Sequence, residues 1–133
     1  MPKNPFGFVA ICDAVYKDEK TNKVVIAGLF GGDIYLDMMP MDLRIALFLD
    51  VVTPAAGEHS IELQFFVGKQ LVGGAEAAME GPAGAKGGLL FPPFSIPFAR
   101  PSTLEIKGSW NGGRSRVLMK KLVLVKEAED PSA

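Results

Sequence analysis

An all-β fold, an antiparallel β-sandwich of about eight or nine strands, is predicted by three observations. Apolar residues recur with a period of two rather than 3.6. Leu43, Ile45, Leu47 and Leu49 alternate with other residues, as do Ile61, Leu63, Phe65 and Val67 around Glu62 and Gln64, and Leu104 and Ile106 around Glu105 and Lys107. Turn-forming Gly, Pro, Asn and Asp punctuate these runs every ~8–12 residues, the spacing of a sandwich or barrel. With 133 residues, 48% apolar and 22% charged, the chain suits one packed domain; a domain of this length buries about two thirds of its unfolded surface.

Taken in order, Phe8–Tyr16 and Lys23–Phe30 are apolar on both faces and flank the polar stretch Lys17–Asn22. That pattern predicts a hairpin of two central strands with both faces covered. Gly31-Gly32-Asp33 ends the second strand. After a third strand, Met38-Met39-Pro40-Met41 is expected to plug one end of the sandwich, or to line a contact surface. Thr53–His59, with Pro54 and Gly57, reads as a loop, and Gly68-Lys69 as a turn.

Ala75–Met79 fits a strand or a single helical turn, and Glu80–Gly88 a long flexible loop. Leu89–Ala99 carries Pro92, Pro93 and Pro97, with Pro101 just beyond, so it is expected to be an interrupted edge strand. Asn111-Gly112-Gly113 closes a hairpin between Thr103–Trp110 and Arg114–Val125. A proline-rich edge is hard to close into a barrel, which favours the sandwich. Residues 1–126 form the domain, and 127–133 a flexible C-terminal tail.

The last hairpin has two registers. With Asn111-Gly112 as the turn, Lys107 faces Arg116, leaving a small anion-attracting spot. With Gly112-Gly113 as the turn, Glu105 faces Lys120 and the repulsion is gone.

The composition bears on function mainly by exclusion. The net charge of −1 argues against nucleic acid as a partner, since such proteins carry a basic excess. The one cysteine, Cys12, excludes an intramolecular disulfide. No apolar run nears the ~18 residues of a membrane helix, and the N-terminus lacks a secretory h-region, so no membrane association and a cytoplasmic location are expected. No phosphate-cradling loop and no zinc-ligand spacing occur, so no cofactor is expected.

His59 is expected to be a solvated loop histidine, and Cys12 a small buried hydrophobe. Asp13, inside an apolar strand, is expected to bond backbone amides of a neighbouring loop, a structural polar role. Asp33 and Asp37 are candidate metal ligands if sandwich loops gather carboxylates around calcium, though solvated turns explain them as well. Charge is segregated along the chain. Asp33–Glu62 holds Asp33, Asp37, Asp42, Asp50, Glu58 and Glu62 against Arg44, and Arg100–Lys121 holds Arg100, Lys107, Arg114, Arg116, Lys120 and Lys121 against Glu105. The basic hairpin carries the only tryptophan, so Trp110, Lys107, Arg114 and Arg116 are candidate ligand-binding residues. Solvation, or pairing with the acidic segment, accounts for the same charges.

Phe8-Val-Ala-Ile-Cys-Asp13, followed after a charged turn by Lys23-Val-Val-Ile-Ala-Gly28-Leu-Phe30, resembles the opening of a family of small bacterial all-β proteins of unknown function. The resemblance covers about a quarter of the chain, implies an all-β domain of this length and carries over no site residues. Composition and pattern together point to a non-catalytic binding or structural module, with a protein partner or a homo-oligomer as its context. The alternatives are a sandwich holding a small molecule, sugar or calcium in its end loops, and an enzyme whose residues converge only in three dimensions.

Overall fold

The computed structural model describes residues 4–126. The strands are β1 (Phe6–Lys17), β2 (Val24–Leu29), β3 (Ile34–Leu36), β4 (Met41–Val52), β5 (Gly57–Val67), β6 (Gln70–Gly81), β7 (Lys86–Phe98), β8 (Ser102–Trp110) and β9 (Arg116–Val125). They form a four-strand sheet ordered β2-β1-β4-β7 and a five-strand sheet ordered β3-β9-β8-β5-β6. Pairing is antiparallel throughout except for the three residues of β3, which run parallel to β9.

The period-two runs place the core. Leu43, Ile45, Leu47, Leu49 and Val51 on β4 meet Ile61, Leu63 and Phe65 on β5 and Leu104 and Ile106 on β8. Full burial of each such side chain stabilises by ~1.5–3 kcal/mol. Because all five inward residues of β4 belong to this core, Arg44, Ala46, Phe48 and Asp50 point to the opposite, outer face of the four-strand sheet.

Several expectations need correction. The opening hairpin forms as predicted, with Cys12 opposite Leu29 and Tyr16 opposite Val25. It is not covered on both faces, however: β2 is an edge strand with mostly exposed residues, and only β1 is interior. A two-layer fold covers one face of each sheet, so two-sided apolarity here is not evidence of a second cover within the chain.

Glu80–Gly88 is not a long flexible loop. Strands β6 and β7 extend into it and leave a connection of residues 82–85, tied down by buried Thr53. Thr53 Oγ1 donates to Pro82 O (2.5 Å) and accepts from the Ala85 amide (2.9 Å), and its backbone bonds Ala85 and Gly84. Ala75–Met79 is strand within β6. The proline-rich segment is an edge strand, as expected, but an unbroken one of 13 residues. A register shift between Ile45 and Leu47 accommodates the extra residue at Pro92-Pro93, since a bulge at an edge tolerates missing amide donors.

Met39 packs against the core while Met38 is 63% exposed, so the methionine cluster plugs the end with one side chain only. The predicted tail, 127–133, lies outside the described residues.

Neither predicted register holds along the whole of the β8–β9 hairpin. Asn111 (φ 52) and Gly112 (φ 69) make the two-residue turn, and the Gly113 amide donates to Trp110 O at 3.0 Å. Yet Glu105 faces Lys120 and Ile106 faces Met119, the frame of the other register, because the pairing slips by one residue between the turn and Gly108, which faces Arg116, and by one more between Ile106 and Lys107. Lys107 therefore faces Val117, and the anion-attracting spot does not form.

Candidate interaction surface

The structure scatters the residues singled out for ligand binding. Trp110 is half-buried, edge-on to Phe6 (centroids 5.9 Å, planes 82° apart) and tilted against His59 at 5.0 Å. Its ring is thus engaged in packing rather than presented for stacking, and its Nε1 is buried without a hydrogen-bond partner among the described residues. Lys107 lies 3.5 Å from Glu105 and 5.0 Å from the Phe66 ring centroid. Arg114 and Arg116 are exposed at the far side of the turn. Asp33 and Asp37, both exposed, flank the three residues of β3 from opposite ends. Among the described residues no three His, Cys, Asp or Glu side chains gather in a way that could hold a metal ion, and no helix is long and apolar enough to cross a membrane.

His59 is not a solvated loop residue. It lies on β5 and is only 6% exposed. Its Nε2–H donates to Ala55 O at 2.7 Å, which leaves Nδ1 to accept from Asn111 Nδ2 at 3.0 Å. Asn111 Oδ1 in turn accepts from the Ser60 amide at 2.8 Å, and the Asn111 amide donates to Ser60 O at 2.8 Å. The network locks the β8–β9 turn onto the start of β5. No local pattern around His59 signals it, because Asn111 lies 52 residues away. An open hollow of about 530 Å³ lies beside it, lined by Glu58, His59, Ser60, Met79 and Glu80 among others. A general base needs a free nitrogen within reach of its substrate, and both nitrogens of His59 are already engaged.

An apolar cleft of about 290 Å³ opens at the seam between β6 and β7, where Phe65 and Phe94 stack at 4.6 Å. It is lined also by Val72, Phe91, Pro92 and Ile96, and brings no charged group to bear on a ligand.

Asp13 makes no hydrogen bond among the described residues and is exposed, contrary to the expected amide-bonding role. It stands across from Gly28, whose φ is +71°. A Cβ on Gly28 would lie 2.6 Å from Asp13 Cγ, so the carboxylate fills the space that a side chain there would need.

The most distinctive surface is the outer face of the four-strand sheet. One row across it reads Leu29 on β2, Cys12 on β1 and Ala46 on β4; the next reads Ala10 on β1, Phe48 on β4 and Leu90 on β7. Phe8 joins them, its ring centroid 6.4 Å from that of Phe48. The far end of the Phe48 ring lies over Gly88 on β7: a Cβ there would come within 2.6 Å of it. Phe8 and Leu29 are each 56% exposed and Leu90 37%, while Ala10, Cys12 and Ala46 form a shielded floor. An antiparallel sheet with one wet face normally alternates apolar-in and polar-out. Here apolar side chains occupy both sides, and among residues 4–126 nothing covers the outer one.

Cys12 sits in that floor with its thiol 3.6 Å from Ala46 O. Loss of water pushes its pKa up, with the neighbouring Asp13 charge adding to the rise and a hydrogen bond from the Ala14 backbone opposing it. The thiol is therefore held in its neutral, weakly nucleophilic form.

No protein-family model matches the chain, and no curated protein is significantly similar to it. Its geometry alone carries the functional reading.

Proposed function

We propose that the protein is a non-catalytic interaction module that binds a protein partner through the outer face of its four-strand sheet. One observation carries this reading: Phe8, Leu29, Phe48 and Leu90 form a contiguous apolar surface over the shielded floor of Ala10, Cys12 and Ala46, at positions where a solvated sheet face would be polar. Exposed apolar groups scattered singly are ordinary on any protein, whereas a contiguous patch rimmed by charge marks a contact surface. Arg44 and Asp50 supply such a rim on β4. Aromatic anchors at the centre and charges at the margin are the usual anatomy of protein interfaces.

The test is site-specific photo-crosslinking in cells that naturally make the protein. A photoreactive aromatic residue at position 29 is expected to give discrete higher-mass adducts. The same residue at position 64, on the outer face of the other sheet, is expected to give none. Equal yields at the two positions, or none at position 29, would refute the reading.

A further inference from the structure

The charges that bracket this face identify its partner. Arg44 and Asp50 stand on the same outer face of β4, each three residues from Leu47, with Ala46 and Phe48 between them. Arg44 is exposed and Asp50 half-exposed, and among the described residues neither lies within 4.0 Å of an opposite charge, the one such pair being Lys107–Glu105. Asp50 is also left open by its neighbours. It lies across from Gly88 on β7 and next to Gly7 on β1, where a Cβ would stand 3.3 Å from its Oδ2. No side chain from either position overhangs the carboxylate.

Resting on the reading of this face as an interaction surface, we propose that its occupant is a second copy of the same chain, packed about a two-fold axis that lies in the plane between the two sheets and crosses β4 at the level of Leu47, between Ala46 and Phe48. A two-fold contact is self-complementary: whatever residue i touches, its partner's copy of that residue touches in return. Opposite charges at equal distances from an apolar centre on one strand are what such a contact requires. With the two β4 strands antiparallel across the interface, each Arg44 meets Asp50 of the partner subunit, and Phe48, Phe8 and Leu90 fill the middle. Sheets that pack face to face lie ~10 Å apart and cross at about 30°, a gap within reach of a long arginine side chain. The same operation sets Lys86, which lies beside Val52 on β7, near the partner's Asp42. A foreign protein would need the apolar centre but would have no reason to find charges of opposite sign placed symmetrically about it.

Charge reversal tests this with the purified full chain, by sedimentation equilibrium across micromolar to sub-millimolar concentrations. The wild type is expected to be a dimer. Arg44→Asp and Asp50→Arg are each expected to raise the dissociation constant about tenfold or more, because like charges then face each other. Mixing the two single variants should restore association as a heterodimer, since the carboxylate introduced at position 44 of one chain then faces the guanidinium introduced at position 50 of the other. The double variant R44D/D50R should dimerise like the wild type. Circular dichroism and melting of each exposed-site variant separate misfolding from loss of contact. A wild type that stays monomeric throughout, or single variants whose mixture associates no better than either alone, would overturn the second-copy proposal. If crosslinking at position 29 still gave adducts heavier than the chain by some mass other than its own, the interaction reading would stand and the second copy alone would fall.

Discussion

The carboxylate of Asp13 occupies the place where a side chain on Gly28 would begin, and Gly28 holds the left-handed φ of +71° that leaves it there. This relationship joins the two apolar segments of the opening hairpin at a point beyond the core. Gly28→Ala is expected to destabilise the protein by about 2–4 kcal/mol, from the strained φ and the collision together. Asp13→Ala alone should fall within about 0.5 kcal/mol of wild type, because the carboxylate makes no hydrogen bond among the described residues. Urea denaturation of the two single variants and the double checks this: D13A/G28A should recover the part of the collision made by the carboxylate but retain the Cβ contact at 2.8 Å and the backbone cost. Strict additivity would show that the two residues do not interact.

Thr53→Val should cost about 1–3 kcal/mol. It removes the hydroxyl that serves both Pro82 O and the Ala85 amide while keeping shape and volume close to constant. Faster amide exchange at Gly84 and Ala85, with the β5 core amides unchanged, is the expected local signature. Unchanged exchange there would mean that the 82–85 turn holds itself.

Asn111 serves both a turn and a network. Asn111→Gly keeps the left-handed turn but gives up the bonds to His59 and the Ser60 amide, and is expected to cost about 1–2 kcal/mol. Asn111→Ala should cost more, because alanine adds the strain of φ 52°. Denaturant midpoints that rank alanine equal to or better than glycine would contradict the stated role of the turn.

Cys12 gives the chain a pH dependence of known sign. Its folded pKa is raised, chiefly by loss of water, so folding favours the neutral thiol. The stability this provides is fully present below the unfolded value of about 8.5 and is lost as pH climbs above it toward the folded pKa. Wild type should lose stability over that alkaline range more steeply than Cys12→Ala, and should react with thiol reagents far more slowly folded than in urea. Parallel stability profiles for the two proteins would show that the thiol is not shielded.

Much of this fold was legible because a strand with one wet face records its own burial. Leu43–Leu49 and Ile61–Val67 alternate, and the structure turns those residues into the two layers of the core. The proline-rich edge was equally plain, since Pro92, Pro93 and Pro97 cannot donate to a ladder. What could not be read depended on distant partners. His59 is held by a residue 52 positions away, and a one-residue slip between the turn and Gly108 places Lys107 opposite Val117 instead of Arg116. The outer face of β1 was legible and misassigned. Phe8–Tyr16 is apolar on both faces, but a sequence does not say whether either face is covered, and the structure leaves the outer one open at Phe8 and Tyr16.

Hydroxyl-radical footprinting of the purified protein, at concentrations spanning its self-association, asks directly which face is covered. Oxidation of Phe8, Leu29 and Leu90 should fall as concentration rises, while Tyr35, Val117 and Leu122, exposed on the other sheet, stay equally reactive. Protection of that second group instead, or constant reactivity at Phe8 and Leu29 throughout, would contradict a second copy seated on the four-strand sheet.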